Sequence, residues 1–142
     1  IKNCPVLAVP DEFDFVIPEQ IAFPTDFNRL YGAELQPLLD LADLYNSKIR
    51  VLHINKEDSI SEAQDYNLDQ LKVALENYEY SFHWMPDYSK KDEAIKDFID
   101  ELNINILVMI NYKHSFIESL VKEPVIKKLG FQPTIPFLVI PD

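Results

Sequence analysis

Short apolar runs alternate along the chain with longer stretches of helical period. The runs are Ile21–Thr25, Ile49–Ile54, Glu79–Trp84, Asn105–Ile110 and Pro136–Ile140. From Ile106 to Ile110 the run is unbroken, the pattern of a strand buried on both faces. Between the runs, Leu35, Leu38, Leu39, Ala42 and Tyr45 recur at helical spacing. So do Leu68, Leu71, Leu75 and Tyr78, and then Ala94, Ile95, Phe98, Ile99 and Leu102. A last set, Val125, Ile126 and Leu129, predicts a fourth helix. Asp92 and Glu93 open the third stretch, where acids complement the helix dipole.

Strands that alternate with helices of this length predict βαβ units with right-handed crossovers. The fold class is therefore α/β, a doubly wound five-stranded parallel sheet with helices on both faces. Two prolines bear on this reading. Pro37 falls inside the first helix, where it either kinks it or marks a looser first turn becoming regular α. Pro24 stands near the end of the first strand, where a missing N–H is tolerated.

The first twenty residues break the alternation. Cys4-Pro-Val-Leu-Ala-Val-Pro10 is a short apolar strand, followed by an acidic, proline-bounded connector from Asp11 to Gln20. The strand is similar to the chain's own end, Ile135-Pro-Phe-Leu-Val-Ile-Pro141. That likeness is either an internal repeat cut short or an accident between two ordinary strands.

Composition narrows the partners. With 142 residues and 47% hydrophobic content, the chain has enough apolar surface for one well-buried core. Lys plus Arg number 13 against 24 Asp plus Glu, a net charge of −11. A surface this acidic repels nucleic acid and anionic membranes. Lys90–Lys91 and Lys127–Lys128 are each offset by neighbouring acids. The single cysteine, Cys4, allows no internal disulfide and fits a reducing compartment, and nothing resembles a signal peptide or a membrane span. The expected localisation is cytoplasmic.

Several of these segments resemble universal stress proteins. Ile21-Ala-Phe-Pro-Thr-Asp-Phe-Asn28 is similar to that family's first strand and loop, an apolar strand ending in Asp and a small polar helix starter. Leu38-Leu-Asp-Leu-Ala42 and Lys48-Ile-Arg-Val-Leu-His-Ile54 resemble its first helix and its "LHV"-type second strand. Asn105-Ile-Leu-Val-Met109 is similar to the "DLIVMG" strand, and Pro136-Phe-Leu-Val-Ile-Pro141 to the closing "PVLVVP". The resemblance implies an adenine nucleotide alpha hydrolase-like fold. It also implies the C-terminal half of a tandem-repeat member: residues 1–10 the closing strand of a preceding repeat, 11–20 a linker, and 21–142 the domain. Closing strands of this family pair antiparallel across dimer or tandem interfaces. Pro5–Val9 is thus expected against the closing strand, Phe137, Leu138, Val139 and Ile140, covering an edge that invites aggregation. The implied partner is a preceding repeat, or a second copy through that strand.

The resemblance also locates a nucleotide site and a reason for it to fail. ATP-binding members hold phosphates after the fourth strand with G-x₂-G-x₉-G-[S/T], where glycines admit the backbone and a helix N-terminus faces the anion. An ungapped alignment puts Ile110, Lys113 and Glu123 at the glycines and Pro124 at the Ser/Thr. Pro124 brings no N–H, and Glu123 would occupy the dipole meant for phosphate. A like charge a few Å from phosphate costs on the order of 1–4 kcal/mol, roughly ten- to a thousand-fold in affinity. The expectation is a stress-response module without enzymatic activity or cofactor, acting through dimer or tandem association. The alternative is a nucleotide-binding or slow ATP-hydrolysing domain with a remodelled site using Asp26, Lys113, His114 and Ser115, with Lys122 a further cation in the loop. Asp26 otherwise serves to cap its turn.

Other chemistry is sparse. With two glycines, Gly32 and Gly130, no dinucleotide, Walker or nucleophile-elbow motif can be written. One Cys and three scattered His give no metal site. His53 reads as a hydrogen-bonded, partly buried strand residue, His83 beside Trp84 as a pocket residue, and His114 as exposed. Phe13, Phe15, Phe82, Trp84 and Tyr88 either line a groove or cover core and edge. A receiver-like domain would need clustered Asp at strand ends, and Asp26 alone qualifies.

Overall fold

The computed structural model describes residues 4–11, 14–53, 60–84, 91–111 and 135–141. Its strands are β1 (Val6–Ala8), β2 (Gln20–Thr25), β3 (Lys48–His53), β4 (Tyr80–Trp84), β5 (Ile106–Asn111) and β6 (Phe137–Pro141). Its helices are α1 (Gln36–Tyr45), entered through a 3₁₀ turn at Ala33–Leu35, α2 (Glu62–Ala74) and α3 (Lys91–Glu101). The helix expected on Val125, Ile126 and Leu129 lies outside the described residues.

The sheet runs β1-β6-β5-β2-β3-β4. All neighbours are parallel except β1, which pairs antiparallel with β6 through Val6↔Val139, Leu7↔Leu138 and Ala8↔Phe137. The doubly wound parallel sheet and the extra strand at its closing edge are both as the sequence predicts. Strand order reverses between β2 and β5, the switch point at which such sheets open a crevice beyond their carboxyl ends.

Alternation in the strands builds two cores. Ile21, Phe23, Ile49, Val51, Ile106, Val108 and Ile110 face α1 and α2, meeting Leu38, Ala42, Leu68 and Leu71. Ala22, Leu52, Leu107 and Met109 face α3, meeting Ile95 and Ile99. The unbroken apolar run in β5 is buried at every position from Ile106 to Ile110.

Helix ends follow local chemistry. Pro37 is the second residue of α1, after the 3₁₀ turn, where an N–H has no intrahelical partner to lose; it opens the helix and does not kink it. Asn46 closes α1 in the left-handed conformation, φ 53°, and Asn103 follows α3 with the same φ. Ser61 and Gln64 form a reciprocal capping box at the start of α2. Pro24 sits opposite Leu52 in β2, while the β2–β5 ladder is registered earlier, at Ile21 and Ala22.

Candidate functional site

The loop leaving β2 at the switch point is held by its own side chains. Thr25 Oγ1 accepts from the Phe27 N–H at 3.1 Å, and Asp26 Oδ1 accepts from the Asn28 N–H at 2.9 Å. These short-range bonds fold residues 25–28 into a tight turn. Thr25 is also hydrogen-bonded to the Tyr31 hydroxyl. Two amides of α2 bind the turn from outside. Gln64 Nε2 donates to the Asp26 carbonyl at 2.8 Å and to Asn28 Oδ1 at 3.0 Å, and Asn67 Nδ2 donates to the Phe27 carbonyl at 2.8 Å.

The turn drives Phe27 inward. Its φ is 58°, a region few side chains other than Asn and Asp enter, yet the ring is fully buried. It stacks on His53 at the carboxyl end of β3, centroids 4.6 Å apart and planes 25° from parallel. His53 in turn meets Trp84 at the end of β4, at 4.0 Å. An aromatic row thus fills the space over the carboxyl ends of β3 and β4, on the β3 side of the switch point. His53 is 1% exposed, so the partly buried strand residue expected from sequence is instead a core member of this row.

On the β5 side the setting is polar. Asn111, the last residue of β5, buries its Oδ1 without a hydrogen-bond partner among the described residues. Ile110 before it is 1% exposed. Asp26 is nearly buried, at 8%. Lys113, His114, Ser115, Lys122, Glu123 and Pro124, the other members of the expected site, lie outside the described residues.

The remaining candidates separate. His83 sits on the opposite face from His53, its Nε2 2.8 Å from Ser81 Oγ and its ring edge-on to Phe98. Its pKa falls below the ordinary value because burial disfavours the cation and Arg50 repels it. Phe82 and Trp84 line an open groove of about 420 Å³ against α2, with Asp65, Asp69 and Lys72. Phe15 and Val16 cover a second, apolar groove of about 260 Å³ with Leu7, Val9, Leu41 and Tyr45. Phe13 and Tyr88 lie outside the described residues. Among those described, no helix is long and apolar enough to cross a membrane, and no group of His, Cys, Asp and Glu could hold a metal ion.

Sequence reasoning missed Phe27, Gln64, Asn67 and Asn111 as parts of this region. Ser61-x-x-Gln64 is a readable capping-box signal. Nothing local marks Phe27, because its inward turn depends on the α2 amides brought in by the fold.

Neither a family model nor a curated protein matches the chain in sequence. In structure it is similar to a universal stress protein from Archaeoglobus fulgidus DSM 4304, with a TM-score of 0.67 and 16% identity. The match covers 96% of this chain and 49% of that one, so the chain spans about half the length of its structural neighbour. Identity this low speaks to architecture alone: the two chains share a mostly parallel, doubly wound α/β fold.

Proposed function

We propose that this chain is a universal stress protein-like module that works by association through its closing-strand edge, without binding ATP, and that it is one half of a tandem arrangement. The observation that carries the reading is the aromatic row Phe27–His53–Trp84. A nucleoside base lying over the carboxyl ends of β2 and β3 would have to displace a fully buried ring, at a cost of roughly 3–5 kcal/mol by analogy with aromatic truncation. The substitutions at Ile110, Lys113, Glu123 and Pro124 add to this on the phosphate side. The tandem reading draws support from β1 seated on β6 and from the chain's spanning half of its neighbour's length.

In this reading β1 stands in for a strand from a preceding repeat. Removing residues 1–10 uncovers β6, and sedimentation velocity should then show a concentration-dependent dimer where the intact chain is monomeric. A truncated chain that stays monomeric and folded at high concentration contradicts association through this edge.

One observation favours a second reading, a remodelled nucleotide site using Asp26, Lys113 and His114: the Asn111 acceptor beside the switch point, unmatched among the described residues. In a thermal-shift titration, that reading requires ATP with magnesium to raise the melting temperature, and Asp26→Ala to abolish the rise.

A further inference from the structure

Away from the switch point, on the face covered by α3, polar side chains of three strands converge. Arg50 of β3 donates from Nε to Gln20 Oε1 at 2.9 Å and from Nη1 to Ser81 Oγ at 2.7 Å. Ser81 Oγ lies 2.8 Å from His83 Nε2. The register sets Arg50 opposite Ala22 and Ser81, and Leu52 opposite His83, so these side chains share the face of the second core. All are partly buried.

Among the described residues the cluster holds no acid. A guanidinium carries five N–H donors, and among the described residues only Nε and Nη1 are engaged, each to a neutral partner. Among the described residues Arg50 has no carboxylate within ion-pair reach, whereas Arg29 pairs with Glu34 and Lys48 with Glu79. In a chain with 24 acids and 13 bases, a partly buried cation whose described partners are an amide and a hydroxyl is out of keeping. Gln20 and Ser81 take two of its N–H groups, and among the described residues no acid offsets its charge. The hydroxyl is also adaptable. When His83 Nε2 carries the ring proton it donates to Ser81 Oγ, and the Ser81 O–H is released toward a further acceptor.

We propose that Arg50, Ser81 and His83 form an oxyanion site on β3 and β4, which takes the phosphate or carboxylate group of a small molecule. The unused N–H groups of Arg50 supply the charge-assisted bonds, and the Ser81 hydroxyl adds a third direction. Gln20 is a positioning residue that fixes the guanidinium from β2. The site stands in the middle of β3 and does not depend on the nucleotide reading, for or against.

The test is an NMR titration of the full chain with inorganic phosphate and, separately, acetate, at constant ionic strength made up with sodium chloride. The site predicts saturating shifts at the Arg50 Nε–H, Ser81 and the His83 ring, with affinity lowered at least roughly tenfold in Arg50→Gln. Saturation by phosphate alone assigns the site to phosphates, and by acetate alone to carboxylates. Should Arg50→Gln fail to fold, Arg50→Lys keeps the charge, loses the planar fork and is expected to weaken binding as well. Shifts that stay linear with both anions overturn the proposal. So do shifts centred on Asp26–Asn28, or a response unchanged in the Arg50 variants.

Discussion

At the scale of the residue, Phe27 decides the character of the switch point. Its backbone is in a region costly for a bulky side chain, of order 1–3 kcal/mol, and the cost is met by a ring buried among His53 and Phe82. Phe27→Ala should lower stability by about 3–5 kcal/mol in urea unfolding, whereas Phe27→Leu should cost less by keeping part of the contact. Equal, small effects would mean the row contributes little. His83 gives a second residue-scale prediction. Its folded pKa lies below the unfolded value of about 6.5, so the unfolded chain binds the proton more tightly. Stability is then full above that pH and is lost as pH falls through and below it. His83→Gln should flatten this part of the stability–pH profile; an unchanged slope would place its origin elsewhere.

At the scale of the element, α2 does two jobs with one side chain. Gln64 caps its own helix through Ser61 and also ties down the turn after β2. Ser61→Ala should cost about 1 kcal/mol, as caps do. Gln64→Ala should cost more and should also accelerate amide exchange at Asn28, which Ser61→Ala should leave alone. Elements of this kind were unevenly legible in the sequence. The β5 run and the likeness between the two ends were plain, because burial on both faces and an edge pairing each leave a pattern in consecutive residues. The contents of the switch point were not. The bond from Gln64 to Asp26 spans 38 residues, and an Arg inside β3 reads like any solvated charge until its neighbours are known. Pro37 was ambiguous for a related reason, since kink and opening turn differ by one helical turn of register.

At the scale of the molecule, the sheet and the charge set how the chain meets others. Leu7 and Val9, 55% and 57% exposed, leave the β1 edge apolar, and Phe15 is 73% exposed beside them. Against this stands a net charge of −11, which makes copies repel. Any self-association should therefore tighten when salt is raised from 0.05 to 0.5 M, as the Debye length shrinks from well above about 8 Å to well below it. Weakening with salt would point to ion pairs in the interface instead. The claim that matters most is the proposal that this α/β sheet does not bind ATP. Calorimetric titration of the full chain with ATP and magnesium addresses it most directly. The account predicts no saturable heat up to millimolar nucleotide. Submillimolar affinity that vanishes in Asp26→Ala would contradict it.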